Sequence, residues 1–236
     1  VVKFYFLGKG NIYQKHKEAI EFLACQEVKD WKEADWVVVL TPNYLHFKQA
    51  LRFAKKGKKV LVEKPLCFRE KEVEVLEKYP VYCVLQLRYL DLDVEPADYY
   101  DIWAELSFKR KKSYFEGWKG QEKKTGGLLF HLGIHYLDYV FNRFGWPRKW
   151  EVKGLGPKEA EIEFFGRKYR FYFHLKSGAK RNIRIISVNS RPYSWLAERN
   201  LFIDLYGDIL DKKGIHASRV KKLINILENC ALFKSC

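Results

Sequence analysis

Lys59-Val60-Leu61-Val62-Glu63-Lys64-Pro65 decides the fold. Its apolar residues do not alternate with polar ones, so the run reads as a strand buried on both faces of a parallel sheet. Pro65 has no amide hydrogen and stops the ladder. Ligands of open α/β sheets sit beyond the carboxyl ends of the strands, so Glu63 and Lys64 emerge where a bound molecule is expected. A lysine partly withdrawn from water has its charged form disfavoured, which suits Lys64 to proton transfer near neutral pH. The competing reading is a strand-end lysine that reaches solvent or pairs with Glu63.

Outward from that strand, residues 1–7 form a first strand that runs into Gly8-Lys9-Gly10-Asn11-Ile12-Tyr13. This is a G-x-G turn between strand and helix, where backbone N–H groups and the helix dipole can hold a pyrophosphate. Tyr13 stands in place of the third glycine, so a plain strand-to-helix turn is the alternative. Residues 35–40 are a further strand, closed by Thr41-Pro42-Asn43-Tyr44-Leu45-His46. A helix over 46–56 ends at Gly57, a charged helix spans 69–79, and residues 80–87 are another buried strand. Strands and helices in alternation with short connections mean right-handed crossovers and a parallel sheet, so residues 1–88 are expected to form a dinucleotide-type domain.

That domain is shortened. Only about ten residues separate the first helix from Asp35, too few for a second strand plus its return helix, whose crossover alone needs about 10 to 12. The second strand and its helix are therefore expected to be missing. An acid that grips the adenosine ribose normally lies about 20 residues past the glycines. Glu27 and Asp30 fall in that interval, and neither follows a convincing strand, so neither is assigned the role.

Residues 89–236 change texture and are expected to form a second, α+β domain. A strand over 101–109 leads into the basic run Lys109-Arg110-Lys111-Lys112, which reads as a solvated turn. Gly126-Gly127 breaks the chain before an apolar helix over 128–144. Short pieces over 152–155, 161–165, 169–175 and 182–188 suit a mainly antiparallel sheet. Residues 191–205 read as a loop returning through a short strand, and a helix over 218–232 closes the chain. The helix over 128–144 holds His131, His135 and Asp138 on one face. A metal site there lacks the glutamate of an H-E-x-x-H helix and any nearby cysteine pair, so no metal is assigned. The other readings are acid–base work by His135 at a sugar hydroxyl, with Asp138 fixing its tautomer, or a satisfied core histidine.

The totals narrow the class. With 236 residues and 47% hydrophobic content the chain can bury a real core. No apolar run approaches the roughly 20 residues that span a bilayer, and the first residues enter a strand without a signal-peptide pattern, so no membrane and a cytoplasmic location are expected. Five cysteines without a C-x-x-C pair argue for reduced thiols. A net charge of +15 implies affinity for anions. Nucleic acid is set aside as a partner, because no helix-turn-helix, RNA-recognition or zinc-finger pattern accompanies the charge. Abundant Lys and Glu with no Met would also suit a heat-adapted protein.

Taken in order, Thr41-Pro42-Asn43-Tyr44-Leu45-His46, Glu63-Lys64-Pro65, Gly126-Gly127 and Gly133-Ile134-His135 with Asp138 resemble the Gfo/Idh/MocA family of nicotinamide-dependent oxidoreductases. Val84-Leu85-Gln86-Leu87-Arg88, the stretch 114–120, Lys124-Thr125-Gly126-Gly127 and Leu205-Tyr206-Gly207-Asp208-Ile209-Leu210 look like the branch that oxidises UDP-N-acetylglucosaminuronate at the sugar C3, toward lipopolysaccharide O-antigen precursors. The resemblance implies Lys64 and His135 as the catalytic pair, and NAD as cofactor with NADP open. Gly8, Gly10 and Ile12 would approach the pyrophosphate. Thr41, Pro42, Asn43 and His46 would line the dinucleotide, with Glu63 near the nicotinamide ribose. Arg88, Tyr114, Trp118, Lys119 and Lys124 would meet the carboxylate and diphosphate of a UDP-sugar or other anionic sugar. His131, where the branch usually carries asparagine, would border the same substrate. The family also implies a homo-oligomer through the open face of the second-domain sheet. A rival of a different class is a nucleotide-sugar binding or regulatory protein of this fold with lost or weakened cofactor binding.

Overall fold

Five parallel strands, β1 (Lys3–Leu7), β2 (Gln26–Glu27), β3 (Trp36–Val39), β4 (Lys59–Val62) and β5 (Val81–Cys83), form a sheet in the order β2-β1-β3-β4-β5. The helices along the chain are α1 (Tyr13–Phe22), α2 (His46–Ala54), α3 (Glu70–Leu76), α4 (Glu122–Thr125), α5 (Ile134–Phe144), α6 (Phe202–Leu210) and α7 (Lys221–Leu232). This computed structural model describes residues 1–195, 197 and 199–232. Two units divide the chain: Val1–Tyr89 with Arg199–Glu228, and Leu90–Glu198 with Asn229–Cys236.

In the first unit, Trp36–Val39 and Val60–Val62 are wholly buried, as unbroken apolar runs in a doubly covered sheet require. The register aligns Leu7 with Val39, Val39 with Val62, and Val62 with Cys83. The strands therefore end in step, and the residues that follow them share one edge of the sheet.

The second strand expected to be missing is present as the two residues of β2, where Lys3 and Phe4 of β1 face Gln26 and Glu27. Residues 28–35 then return through turns without a helix, because so short a segment can only step across β1. The trimming thus falls on the return helix and leaves a short second strand in place.

The assignment of residues 89–236 to a single second domain also needs revision. Residues 199–228 pack with the first unit. Phe202, Leu205, Tyr206 and Ile209 stand at the spacing of one helical face and are buried against Phe4, Phe6, Ile20, Trp36 and Leu61. Burying each such side chain contributes about 1.5–3 kcal/mol, so α6 is part of that core. A loop was expected over part of this helix.

In the second unit, β6 (Tyr100–Phe108), β7 (Lys149–Leu155), β8 (Glu159–Phe165), β9 (Tyr169–Ser177), β10 (Ile183–Val188) and β11 (Arg191–Ser194) form a sheet in the order β11-β10-β6-β9-β8-β7. Its neighbours are antiparallel except the central pair β6 and β9, which run parallel along their full length. Helix α5 covers one face, Phe141 meeting Phe164 at 5.0 Å between ring centres. The helix expected over 128–144 is not uniform. Leu129–Gly133 is a π-helical turn, and α5 begins after it. Gly133 permits this close approach, since a Cβ there would stand 3.3 Å from the Phe173 ring and 3.4 Å from Leu175. No helix among the described residues is long and apolar enough to cross a membrane.

Candidate active site

The shared edge of the first sheet gathers the glycine turn, the loop after β3 and the end of β4. Gly8 has φ of +100°, and a Cβ there would lie 3.1 Å from the Leu40 carbonyl, so only glycine fits where β1 passes the backbone beyond β3. Gly10 is different, because a Cβ at that position meets nothing within 4 Å. Ile12 is the N-cap of α1 and provides no side-chain cap. Open space over Gly10 leaves room for a dinucleotide pyrophosphate at the start of α1, where the Tyr13 and Lys15 amides already donate to the Gly10 and Ile12 carbonyls.

Tyr13, in the third glycine's place, gives its hydroxyl to Glu27 Oε2 at 2.7 Å. Lys9 Nζ donates to Glu27 Oε1 at 2.7 Å and lies 4.9 Å from the Tyr13 ring centre. The short β2 therefore delivers an acid beside the glycine turn. Burial pushes the Glu27 carboxyl up, but the Lys9 and Tyr13 hydrogen bonds outweigh it and hold it below the ordinary value. Sequence reasoning counted Glu27 at the right distance but could not see its two-residue strand.

The loop after β3 is fastened to the loop after β4 by one imidazole. His46 is buried, with Nδ1 2.7 Å from the Pro65 carbonyl and Nε2 2.7 Å from the Thr41 carbonyl. Burial pulls its pKa down against the pull of the two carbonyls, which favour a charged ring. Thr41 also donates to Gln49 Oε1 at 2.6 Å, and Asn43 beyond Pro42 is buried. Glu63 is buried at the end of β4, and its Oε2 accepts the Lys64 amide at 3.0 Å. Lys64 itself is half-buried. Arg88 is half-buried in the short helical turn Gln86–Tyr89 that follows the β5 strand.

The remaining candidates belong to the second unit. A cavity of about 160 Å³ is lined by Tyr114, Lys119 and His131, together with Phe115, Lys158 and Ser177, which sequence reasoning did not single out. Tyr114 Oη and His131 Nε2 are 2.7 Å apart. Burial raises the Tyr114 phenol, partly offset by Arg110, so it keeps its proton and can donate to the imidazole. Trp118 meets the His131 ring edge-on at 5.6 Å, and Lys119 Nζ is 4.9 Å from the Tyr114 ring centre. Trp118 and Lys124 are not among the cavity's lining residues. Lys124 sits half-buried on α4. His135, on the first turn of α5, is half-buried, whereas Asp138 is buried and accepts from Asn142 Nδ2 at 3.0 Å. Among the described residues no group of three or more His, Cys, Asp or Glu could hold a metal ion.

These features define a Rossmann-type first unit and a mixed-sheet second unit. Residues 4–79 match the family model for the NAD-binding Rossmann fold of the GFO_IDH_MocA oxidoreductases, and residues 100–208 match that family's C-terminal alpha/beta domain. The chain belongs to the Gfo/Idh/MocA oxidoreductase family. It is 27% identical over 148 residues to the scyllo-inositol 2-dehydrogenase (NADP(+)) IolW of Bacillus subtilis, covering 57% of this chain and 41% of the relative. Another relative, the glucose-6-phosphate 3-dehydrogenase of Bacillus subtilis, is 27% identical over 129 residues, covering 47% and 37%. The chain thus spans less than half the length of these curated relatives. Among solved structures it resembles the WlbA dehydrogenase from Thermus thermophilus in complex with NAD and UDP-GlcNAcA, with a TM-score of 0.85, 23% identity and coverage of 100% and 95%. The WlbA dehydrogenase from Bordetella pertussis in complex with NADH and UDP-GlcNAcA gives a TM-score of 0.78 at 15% identity, with coverage of 99% and 95%.

Proposed function

We propose that this chain is an NAD-dependent oxidoreductase acting on a sugar hydroxyl, with C3 of a UDP-N-acetylated hexuronate as its substrate position. The observation that carries the reading is the common edge where Gly8, Thr41, Glu63 and Lys64 follow strands ending in register. A bound nicotinamide would supply the hydride acceptor. Gly8 shapes the turn and Gly10 leaves the pyrophosphate room; Glu27 would take the adenosine ribose, and Glu63 the nicotinamide ribose. Lys64 and His135 would handle the hydroxyl proton, the loss of which must accompany hydride departure from the same carbon. NAD is preferred to NADP because a carboxylate at Glu27 repels a 2′-phosphate.

The second unit supports the substrate class. A cavity carrying Lys119 and Lys158 against the one carboxylate of Glu122, beside Tyr114 and His131, suits an anionic sugar, and the likeness to WlbA complexes supports a UDP-hexuronate. Exposed Trp103 and Ile185 on the open sheet face support assembly into a homo-oligomer. A cytoplasmic setting is supported by a cysteine pattern that lacks any C-x-x-C pair.

A second reading draws on one observation. Glu27 is already engaged by Lys9 and Tyr13, which favours a nucleotide-sugar binding protein without turnover. A panel of UDP-sugars offered with NAD separates the two. Growth of the reduced-nicotinamide absorbance with a UDP-hexuronate supports the dehydrogenase. Tight UDP-sugar binding by calorimetry, with no absorbance change and no NADH binding, supports the alternative.

A further inference from the structure

Beneath the Glu63–Lys64 corner lies a buried chain of side chains that the reaction as proposed does not use. His16 on α1 has no exposed surface; neither does Tyr206 on α6. Tyr206 Oη is 2.8 Å from His16 Nδ1, and His16 Nε2 is 3.2 Å from Glu63 Oε1. The other Glu63 oxygen accepts the Lys64 amide. Phe202 packs against the imidazole at 4.4 Å between ring centres, with Phe6 at 6.3 Å, so water has no route to substitute for a lost partner.

The donors and acceptors close in one direction. A carboxylate oxygen only accepts, so His16 Nε2 carries a proton toward Glu63. In the neutral ring Nδ1 is then an acceptor and takes the Tyr206 hydroxyl hydrogen. Burial holds the Tyr206 phenol well above its ordinary range, which keeps that hydrogen in place. Tyr206 comes from the returning segment, 190 positions along the chain from His16, and thereby ties α6 to the tip of β4.

We propose that His16 and Tyr206 are positioning residues for the dehydrogenase, clamping the Glu63 carboxylate so that the Lys64 backbone is held where its amine can serve the reacting hydroxyl. The inference rests on the functional reading above. It adds that geometry at the tip of β4 is set from behind by α1 and α6. Freeing one oxygen of Glu63 lets the carboxylate rotate, and misplacing a reacting group by about 1 Å can cost on the order of a hundredfold in rate.

Two amide variants separate the two ends of the clamp. Gln at position 16 places its amide near the former Nε2 and can still donate to Glu63, whereas Asn reaches only the former Nδ1. Wild-type turnover is measured first, since its absence defeats the functional reading itself. Given an active wild type, His16→Gln should stay within about threefold in kcat, and His16→Asn should lose on the order of tenfold to a hundredfold with little change in KM for the sugar. Tyr206→Phe should fall between them. Equal kcat for His16→Asn and wild type would overturn the proposal, as would equal losses in the Gln and Asn variants. Nitrogen-15 NMR of the wild-type imidazole is the second measurement and needs no turnover. A protonated Nε2 with an unprotonated Nδ1 supports the clamp; the opposite tautomer overturns it.

Discussion

Glu27 and Lys9 meet at 2.7 Å beside the glycine turn, an acid from a two-residue strand paired with a base from the turn itself. With Glu27 in place, the pair would present a carboxylate to the ribose of the proposed cofactor. Glu27→Ser removes the acid and frees the lysine for a 2′-phosphate, so the ratio of NADP to NAD affinity should rise by about tenfold or more. Calorimetric titration with both dinucleotides measures that ratio. A ratio unchanged by the substitution would separate Glu27 from cofactor choice.

The same carboxyl has a pH signature. Its folded-state pKa lies below the ordinary 4.5, so its stabilising contribution is complete above that pH and is lost as pH falls through the folded value. Lys9 is 59% exposed, which limits the contribution to under about 1 kcal/mol. Glu27→Gln should therefore lower the melting temperature slightly at pH 7, with the difference shrinking in acid.

Gly8 and Gly10 should respond differently to alanine. Gly8→Ala forces a side chain onto φ of +100° with the Leu40 carbonyl 3.1 Å away, and should destabilise the fold by about 1–3 kcal/mol. Gly10→Ala meets nothing within 4 Å, so stability should hold while the new methyl occupies the space offered to the pyrophosphate. Melting temperature and NAD affinity, measured together, distinguish a turn glycine from a binding glycine. Loss of stability in both variants would refute the distinction.

Much of this is legible in the amino-acid sequence alone. The heptapeptide ending at Pro65 and the valine run over 36–39 specify buried parallel strands because they have no polar face, and the helix over 134–144 has a period of its own. Glu27 was hidden because two residues are too short for any periodic pattern. The π turn around His131 was hidden because one extra residue in a single turn carries no compositional signal of its own. In the sequence Tyr206 is one residue of the motif over 205–210. Its role depends on a long-range pairing with His16, and no local propensity encodes a contact between residues so far apart.

Lys64→Met keeps the stem volume and removes the amine, so the fold should survive while turnover drops on the order of 10²- to 10⁴-fold. His135→Asn should show a loss of the same order. Circular dichroism confirms folding, and single-turnover absorbance reads the hydride step. Full activity in the Lys64 variant would remove that amine from the chemistry.

His46 gives a second pH effect with its own window. Burial lowers its folded-state pKa from 6.5, so the native state prefers the neutral ring. As pH drops below about 6.5 the unfolded chain takes up a proton that the folded chain resists, and stability declines until the folded value is reached. His46→Gln cannot titrate, and its amide can still donate to one of the two carbonyls. Its melting temperature should be lower than wild type at pH 8, with the gap narrowing toward pH 5.5. A gap that widens in acid would reverse the assigned sign.

The open face of the second sheet offers the last test. Trp103 is 51% exposed with its ring centre 4.2 Å from that of Tyr172, and Ile185 on the adjoining strand is 47% exposed. Large apolar side chains left uncovered on neighbouring strands are costly in water unless another surface meets them. A stable dimer generally buries at least about 1,200 Å² in total, which a six-stranded face of this kind can supply. Trp103→Glu with Ile185→Lys puts opposite charges on strands that pair directly, so the subunit should keep its fold. Any partner surface must then desolvate both charges to bind. Sedimentation should report an assembly for the wild type and a folded monomer for the double variant. A wild type that sediments as a monomer at micromolar concentration would assign this face to something other than self-association.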